Sequence, residues 1–127
     1  MRLPIYTTAI LVSVSVGTAC WATQQSFSKR SAQIRVRCED TKSTQIEYHA
    51  PPGWRIIRYD SGWIGLSGVG GHTANVQGNS KETPTSVVAT GTITGRNRGV
   101  GIQILGHRFA RCPGGRGWLQ VAGIIAR

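Results

Sequence analysis

Apolar and polar residues alternate with a period of two along most of this chain. The alternation is clearest in four segments, where apolar or small residues occupy every second position: residues 32–38, 46–50, 87–93 and 119–125. Because successive side chains of a strand point to opposite faces of its sheet, this period indicates strands that are buried on one face. A fifth segment of the same kind contains Val100, Ile102 and Ile104. No segment has the spacing of three and four that an amphipathic helix requires.

Turn-forming residues separate these segments. Clusters rich in Pro, Gly, Ser and Asn, which mark turns and loops, lie at residues 51–53, 67–71, 78–80, 95–99 and 113–115. Two shorter β-rich segments, 54–59 and 63–66, flank Asp60, Ser61 and Gly62, which together are typical of a hairpin turn. The whole pattern predicts an all-β domain, either a small antiparallel β-sandwich or a Greek-key-like barrel, of about seven to nine short strands.

The first 22 residues have the features of a cleaved export signal. Arg2 precedes an apolar run at residues 10–17, and small residues around Ala19 and Ala22 are suited to a cleavage site. The apolar run is too short to span a bilayer, which needs about 20 apolar residues. The sequence therefore predicts a signal peptide at residues 1–22 and export from the cytoplasm.

The remaining chain has the length of one domain. Residues 23–31 are polar and unpatterned, so we expect a flexible leader there, followed by a single β domain over residues 32–127. A lipid anchor on Cys20 is not favoured, because Gly17 stands where the motif for lipid attachment usually has leucine. We expect a secreted or periplasmic protein with no transmembrane segment in its mature chain.

Cys38 and Cys112 form an even pair once the signal is removed. An oxidising compartment favours a disulfide between them, and closing a loop of this length would stabilise the fold by roughly 4 kcal/mol. Neither cysteine has a second Cys or a His at the spacing of a zinc site. We therefore expect one disulfide, no metal site and no cofactor.

The chain is strongly basic, with 15 Lys and Arg against five Asp and Glu and a formal net charge of +10. All the acidic residues precede residue 83, and arginine greatly outnumbers lysine. Arginine binds phosphate and carboxylate through two parallel hydrogen bonds. An anionic partner follows as the expectation: a surface polysaccharide, a lipid phosphate, nucleic acid or an acidic protein. The alternative is that the charge only keeps the protein soluble and its sheet edges apart.

Two groups of residues are candidates for binding this partner. Arg35 and Arg37 share the polar side of the first predicted strand. Around the predicted hairpin, arginine alternates with tryptophan, a mixture that can stack sugars or bases. The candidates in this second group are Trp54, Arg55, Arg58 and Trp63. The alternative for the two tryptophans is that they are half-buried residues of the core.

Glu47 and His49 are the candidates for catalysis, since they lie two residues apart on one strand face. With an arginine they could act as acid, base and phosphate clamp in metal-independent RNA cleavage. No Gly-x-Ser-x-Gly motif or phosphate-binding loop supports an enzyme. We therefore expect a protein that binds without catalysis. A structural or self-associating envelope or coat component is one alternative, and a secreted nuclease or other hydrolase is the second.

Overall fold

Most of the alternating segments form strands in the structure, a computed structural model that describes residues 23–97 and 112–127. The segment 32–38 does so only in part, because its strand covers Ile34–Val36 and Arg37 lies beyond the end of that strand. Within those ranges the chain has no helix and seven strands: β1 (Gln24–Arg30), β2 (Ile34–Val36), β3 (Thr41–His49), β4 (Arg55–Ser67), β5 (Val69–Gly78), β6 (Ser86–Gly95) and β7 (Gly115–Ala126). The predicted signal peptide and the segment with Val100, Ile102 and Ile104 lie outside the described residues. A search of the described part of the chain for a helix long and apolar enough to cross a membrane finds none.

The strands form two antiparallel sheets. In the first, called sheet A, β7 is the central strand. β4 pairs with one side of β7, and β2 and β1 pair with successive parts of its other side. In the second, called sheet B, β6 lies between β3 and β5. The two sheets pack face to face, which confirms the prediction of an all-β, sandwich-like fold.

The core lies between the two central strands. Alternate residues of β6 and β7 face inward and are joined by Ile56 of β4; the buried side chains include Ile56, Val87, Ala89, Leu119, Val121 and Ile125. Partly buried residues of β3 pack against this cluster, Ile46 and Tyr48 among them. The alternation predicted for residues 46–50, 87–93 and 119–125 is therefore confirmed.

Trp63 fills the space opposite Gly91 in this core. A Cβ atom on Gly91 would lie 2.9 Å from Nε1 of Trp63 and 2.8 Å from Cδ1 of Leu119. Such distances are shorter than real Cβ contacts, so only a residue without a side chain fits at this point. The Trp63 indole also donates a hydrogen bond of 2.7 Å to the backbone oxygen of Thr73, so the polar atom of this partly buried ring has a partner.

The predicted hairpin at Asp60, Ser61 and Gly62 is wrong. These residues lie inside the continuous strand β4 and pair with Ala122, Val121 and Gln120 of β7. A hairpin would pair the two halves of β4 with each other, whereas β7 is long enough to pair with both halves in line. Turn chemistry is a local preference, and the ladder to β7 outweighs it.

Instead of turning, β4 contains two irregularities. The register with β7 shifts between Ile56 and Arg58 and again between Ile64 and Ser67. Each shift adds residues on β4 relative to its partner, which is the pattern of a β-bulge. Gly65, within the second shift, has a φ of 65°, which an L side chain rarely adopts.

The flexible leader predicted at residues 23–31 is also wrong, because β1 occupies most of it. Every residue from Gln24 to Arg30 pairs with β7, and the backbone of Ser31 continues the contact with a 2.8 Å hydrogen bond to the oxygen of Leu119. β1 lies at the edge of the sheet and is mostly exposed, so its sequence needs few apolar residues. Its inward anchor is Phe27, whose ring stacks on Tyr48 at 4.0 Å between centroids.

The predicted disulfide between Cys38 and Cys112 is present, with their Cα atoms 6.3 Å apart. Cys38 lies in the turn between β2 and β3, and Cys112 lies in the segment that leads into β7. The bond therefore ties the start of the central strand of sheet A to the point where the chain passes from sheet A to sheet B.

Removing this disulfide should destabilise the fold without changing its strand content. For Cys38→Ser combined with Cys112→Ser, we expect the free energy of unfolding to fall by about 4 kcal/mol, because the unfolded chain regains loop entropy. Urea unfolding followed by circular dichroism measures this change. Reduction of the wild-type protein should give the same loss, and a loss below about 1 kcal/mol in both cases would contradict the expectation.

Gly91→Ala tests the close contact with Trp63. We expect a loss of about 1–3 kcal/mol in unfolding free energy, because the new methyl group overlaps two core side chains. Gly62→Ala is the matched control, since a Cβ atom at Gly62 meets nothing within 4 Å. Equal stability of the two variants in urea would show that Gly91 is not under steric constraint.

Candidate functional site

The strand register brings five arginines onto the outer face of sheet A. Directly opposed residues of an antiparallel pair lie on the same face. Since Leu119, Val121 and Ile125 point into the core, the even-numbered residues of β7 from 116 to 126 point outward. Five exposed arginines belong to this outward set. Arg116 lies on β7 itself, and the other four pair with outward residues of β7: Arg30 with Gln120, Arg35 with Arg116, Arg58 with Ile124 and Arg55 with Ala126. We call Arg30, Arg35, Arg55, Arg58 and Arg116 the arginine face.

Little negative charge offsets the arginine face. Asp60 is the single carboxylate among the outward residues of sheet A, and its Oδ1 accepts a 2.9 Å hydrogen bond from the backbone of Ser61. Arg35 and Arg116 stand directly opposite each other, and like charges in this position destabilise a strand pair. Among the described residues, neither makes an ion pair with an acidic side chain. An anion placed between them would remove this repulsion.

The outer face of sheet B has the opposite character. Hydroxyl, amide and small side chains cover it, including a row of three threonines on β6, Thr90, Thr92 and Thr94. The outward residues of β3, β5 and β6 include no Lys or Arg, and they include one carboxylate, Glu47. The charge of the described sandwich is therefore strongly asymmetric between its two faces.

A cavity of about 680 Å³ adjoins the arginine face at the end of the sandwich where β2 pairs with β7. Five cationic side chains and one carboxylate line it: Arg35, Arg37, Lys42, Arg96, Arg116 and Asp40. We call this space the arginine cavity. Nε of Arg37 lies 3.2 Å from Oδ2 of Asp40, so the one carboxylate already has a partner. Arg35 and Arg116 belong to both the face and the cavity.

Backbone contacts fix the wall of the arginine cavity. Gly68 has a φ of 70°, and a side chain there would overlap the backbone of Gly114. This close approach brings the turn between β4 and β5 against the segment that starts β7. The amide of Arg96 donates a 3.1 Å hydrogen bond to the oxygen of Gly68, and the Cys38–Cys112 disulfide adjoins the same wall. The backbone that carries the cationic side chains is thus held by a close backbone contact, a hydrogen bond and a disulfide.

Four of the binding residues predicted from sequence are arginines, and the structure places them in two separate pairs. Arg35 and Arg37 line the cavity, whereas Arg55 and Arg58 lie at the other end of the arginine face. Ile124, the partner of Arg58, lies eight positions after Arg116 along β7. This is roughly 27 Å of strand at about 3.4 Å per residue, so one small ligand cannot contact both ends.

Sequence reasoning missed four cations of the site, which are Arg30, Lys42, Arg96 and Arg116. Arg30 belongs to the segment that was predicted to be a flexible leader. Arg96 lies in a predicted loop, and its positive charge was the sequence feature that could have identified it as a site residue. Arg116 becomes significant only through its pairing with Arg35, which joins residues far apart in the chain.

The structure does not bring the two predicted tryptophans to the arginine face. Trp63 points into the core, opposite Gly91. Trp54 is half-buried against the core cluster, and the guanidinium of Arg127 lies 5.5 Å from its ring centroid. Both tryptophans therefore have structural contacts that account for their positions.

Glu47 and His49 lie on the outer face of sheet B, with Oε1 and Nε2 at 3.6 Å. Their side chains are 53% and 68% exposed, and neither residue lines the arginine cavity. The structure does not bring this predicted catalytic pair together with an arginine. Over residues 23–97 and 112–127, no three His, Cys, Asp or Glu side chains are grouped as metal ligands would be.

Trp63→Ala should therefore affect stability. We expect it to lower the unfolding free energy by about 3 kcal/mol, the lower end of the range for aromatic truncation, because the ring is only partly buried against the core cluster. Arg55→Gln combined with Arg58→Gln, two exposed positions, should change it by less than about 1 kcal/mol. Chemical denaturation of both variants makes the comparison, and a tolerated Trp63→Ala substitution would contradict the core assignment.

Comparison of this chain with protein-family models, with curated proteins and with solved structures finds no match. Its function must therefore be inferred from the chemistry of the arginine face and the arginine cavity.

Proposed function

We propose that this chain is a non-catalytic binding module that holds an anionic partner against the arginine face, with an anionic group of that partner entering the arginine cavity. The observation that supports this function is the unequal distribution of charge over the two sheets. Five arginines project from the outer face of sheet A, and none projects from the outer face of sheet B.

This asymmetry favours a binding role over a role in solubility alone. Charge that only prevents aggregation acts equally well when it is spread over the whole surface. A one-sided arrangement instead orients the molecule in the field of an anionic partner and raises the rate of productive encounter. Guanidinium groups add geometric selectivity, because they donate paired hydrogen bonds to phosphate, sulfate or carboxylate.

The proposed setting is extracytoplasmic. The Cys38–Cys112 disulfide is of the kind that persists in oxidising compartments and is rare in the cytosol. The composition of the first 22 residues agrees with export. Candidate partners in that setting are anionic polysaccharides, lipid phosphates and acidic proteins.

Retention on immobilised heparin across a salt series tests the proposal. The face variant is Arg55→Gln with Arg58→Gln, and the charge-matched control is Lys29→Gln with Lys81→Gln. If each exposed contact contributes about 0.5–1 kcal/mol, the face variant should bind about 5- to 30-fold more weakly than the wild type. The control should lose much less, because neither lysine belongs to the arginine face: Lys29 donates a hydrogen bond to the backbone oxygen of Glu47, and Lys81 lies in the loop between β5 and β6.

Two results would overturn the proposal. One is equal loss in the face variant and the control, which would mean that retention follows total charge. The other is no salt-dependent retention of the wild-type protein on heparin.

A further inference from the structure

An apolar row runs between the arginines of the arginine face. The outward residues of β7 include Trp118, Ala122, Ile124 and Ala126, each of them half-buried. β4 adds Ile64, which pairs with Trp118 and is also half-buried. We call these five residues the apolar row.

The residues beside the apolar row leave it accessible. Ser26 and Ser28 of β1 pair with Ile124 and Ala122, so short side chains flank the row on that side. On the other side Ile57, the extra residue of the first β4 bulge, is 44% exposed and adjoins Arg58. Ile57 thus extends the exposed apolar surface beside the row, and contiguous apolar surface of this kind marks interaction sites.

Trp118 is placed at the cavity end of the row. Its ring lies over Gly65, where a Cβ atom would come within 2.7 Å of Cε3. The guanidinium of Arg30 lies 5.9 Å from the ring centroid. A tryptophan with one apolar side and a nearby cation is the combination found where proteins meet the membrane interface.

Other partners fit this surface less well. A polysaccharide or nucleic acid strand would satisfy the arginines but leave the apolar row and Ile57 without a partner. A second copy of the chain could cover the row, but it would place five more arginines against the first five, and this repulsion opposes a face-to-face dimer. An anionic bilayer offers phosphate for the arginines and an interfacial region for Trp and Ile.

We propose that the arginine face docks on an anionic lipid bilayer. In this arrangement the apolar row and Ile57 enter the interfacial region, the arginines contact headgroup phosphates, and the arginine cavity admits one headgroup. The proposal rests on the proposed function, since it names the source of the anion. It also explains why apolar side chains occupy the centre of the most basic face of the described domain.

Co-sedimentation with lipid vesicles tests this proposal. Wild-type protein should bind vesicles of phosphatidylcholine mixed with phosphatidylglycerol, and not vesicles of phosphatidylcholine alone. Each arginine near an anionic surface strengthens binding by about fivefold, so Arg55→Gln with Arg58→Gln should weaken it by about 25-fold.

The apolar contribution needs its own variants. Ile57→Ser and Ile124→Ser should each weaken binding to the mixed vesicles by about fivefold, because each removes apolar surface that the interface would bury. Val88→Ser is the matched control for Ile124→Ser, since Val88 is a half-buried outward residue on the central strand of sheet B. Thermal unfolding verifies that each variant is folded. Heparin retention of the isoleucine variants should be unchanged.

A spectroscopic readout locates the contact. Brominated phosphatidylglycerol should quench tryptophan fluorescence in the bound protein. Trp118→Phe should lower this quenching more than Trp54→Phe does, because Trp118 belongs to the apolar row whereas Trp54 and Trp63 pack against the core cluster. The membrane proposal is overturned if the isoleucine variants bind mixed vesicles as the wild type does, or if Trp118→Phe leaves the bromolipid quenching unchanged. The membrane proposal also fails if the wild-type protein does not co-sediment with mixed vesicles. In each case, salt-dependent retention on heparin through the arginine face would leave the proposed function standing.

Discussion

The pairing of β7 on both of its edges is the constraint on which the rest of this structure depends. One edge pairs with β4 and the other with β1 and β2, so a single strand organises the whole of sheet A. Its inward residues supply much of the core, and its outward residues supply four of the five residues of the apolar row and one arginine of the face. A shift of one residue in this register would turn Arg116 inward and Leu119 outward, so the packing of the core also sets the geometry of the arginine face.

The arginine cavity depends on the same strand. Cys112 lies three residues before β7, and its bond to Cys38 holds the cavity wall close to the start of the strand. The close approach of Gly68 and Gly114 has the same effect from the side of β4. Repulsion among the lining cations would tend to open this region, and covalent and backbone constraints oppose that tendency. Stability and the placement of charge are therefore linked at this end of the sandwich.

The fold could be predicted from sequence wherever burial was one-sided. Residues 87–93 and 119–125 alternate because one face of each strand is buried and the other is not, and this local pattern identified β6 and most of β7. It failed for β1, where Phe27 is the main inward anchor of an otherwise polar edge strand. It failed again at Asp60–Ser61–Gly62, where favourable turn residues lie inside a strand because β7 supplies a continuous partner.

By itself, the sequence determined the all-β class, the disulfide and the excess of positive charge, because these follow from local periodicity, cysteine number and composition. It also identified Arg35, Arg55 and Arg58 as candidates, without showing that they share a face. Only the tertiary structure decided that these arginines join Arg30 and Arg116 on one sheet, that Trp63 belongs to the core, and that Glu47 and His49 lie on the opposite face. The physical reason is that strand pairing joins residues far apart in the chain, and alternation within one strand holds no information about which strand will lie beside it.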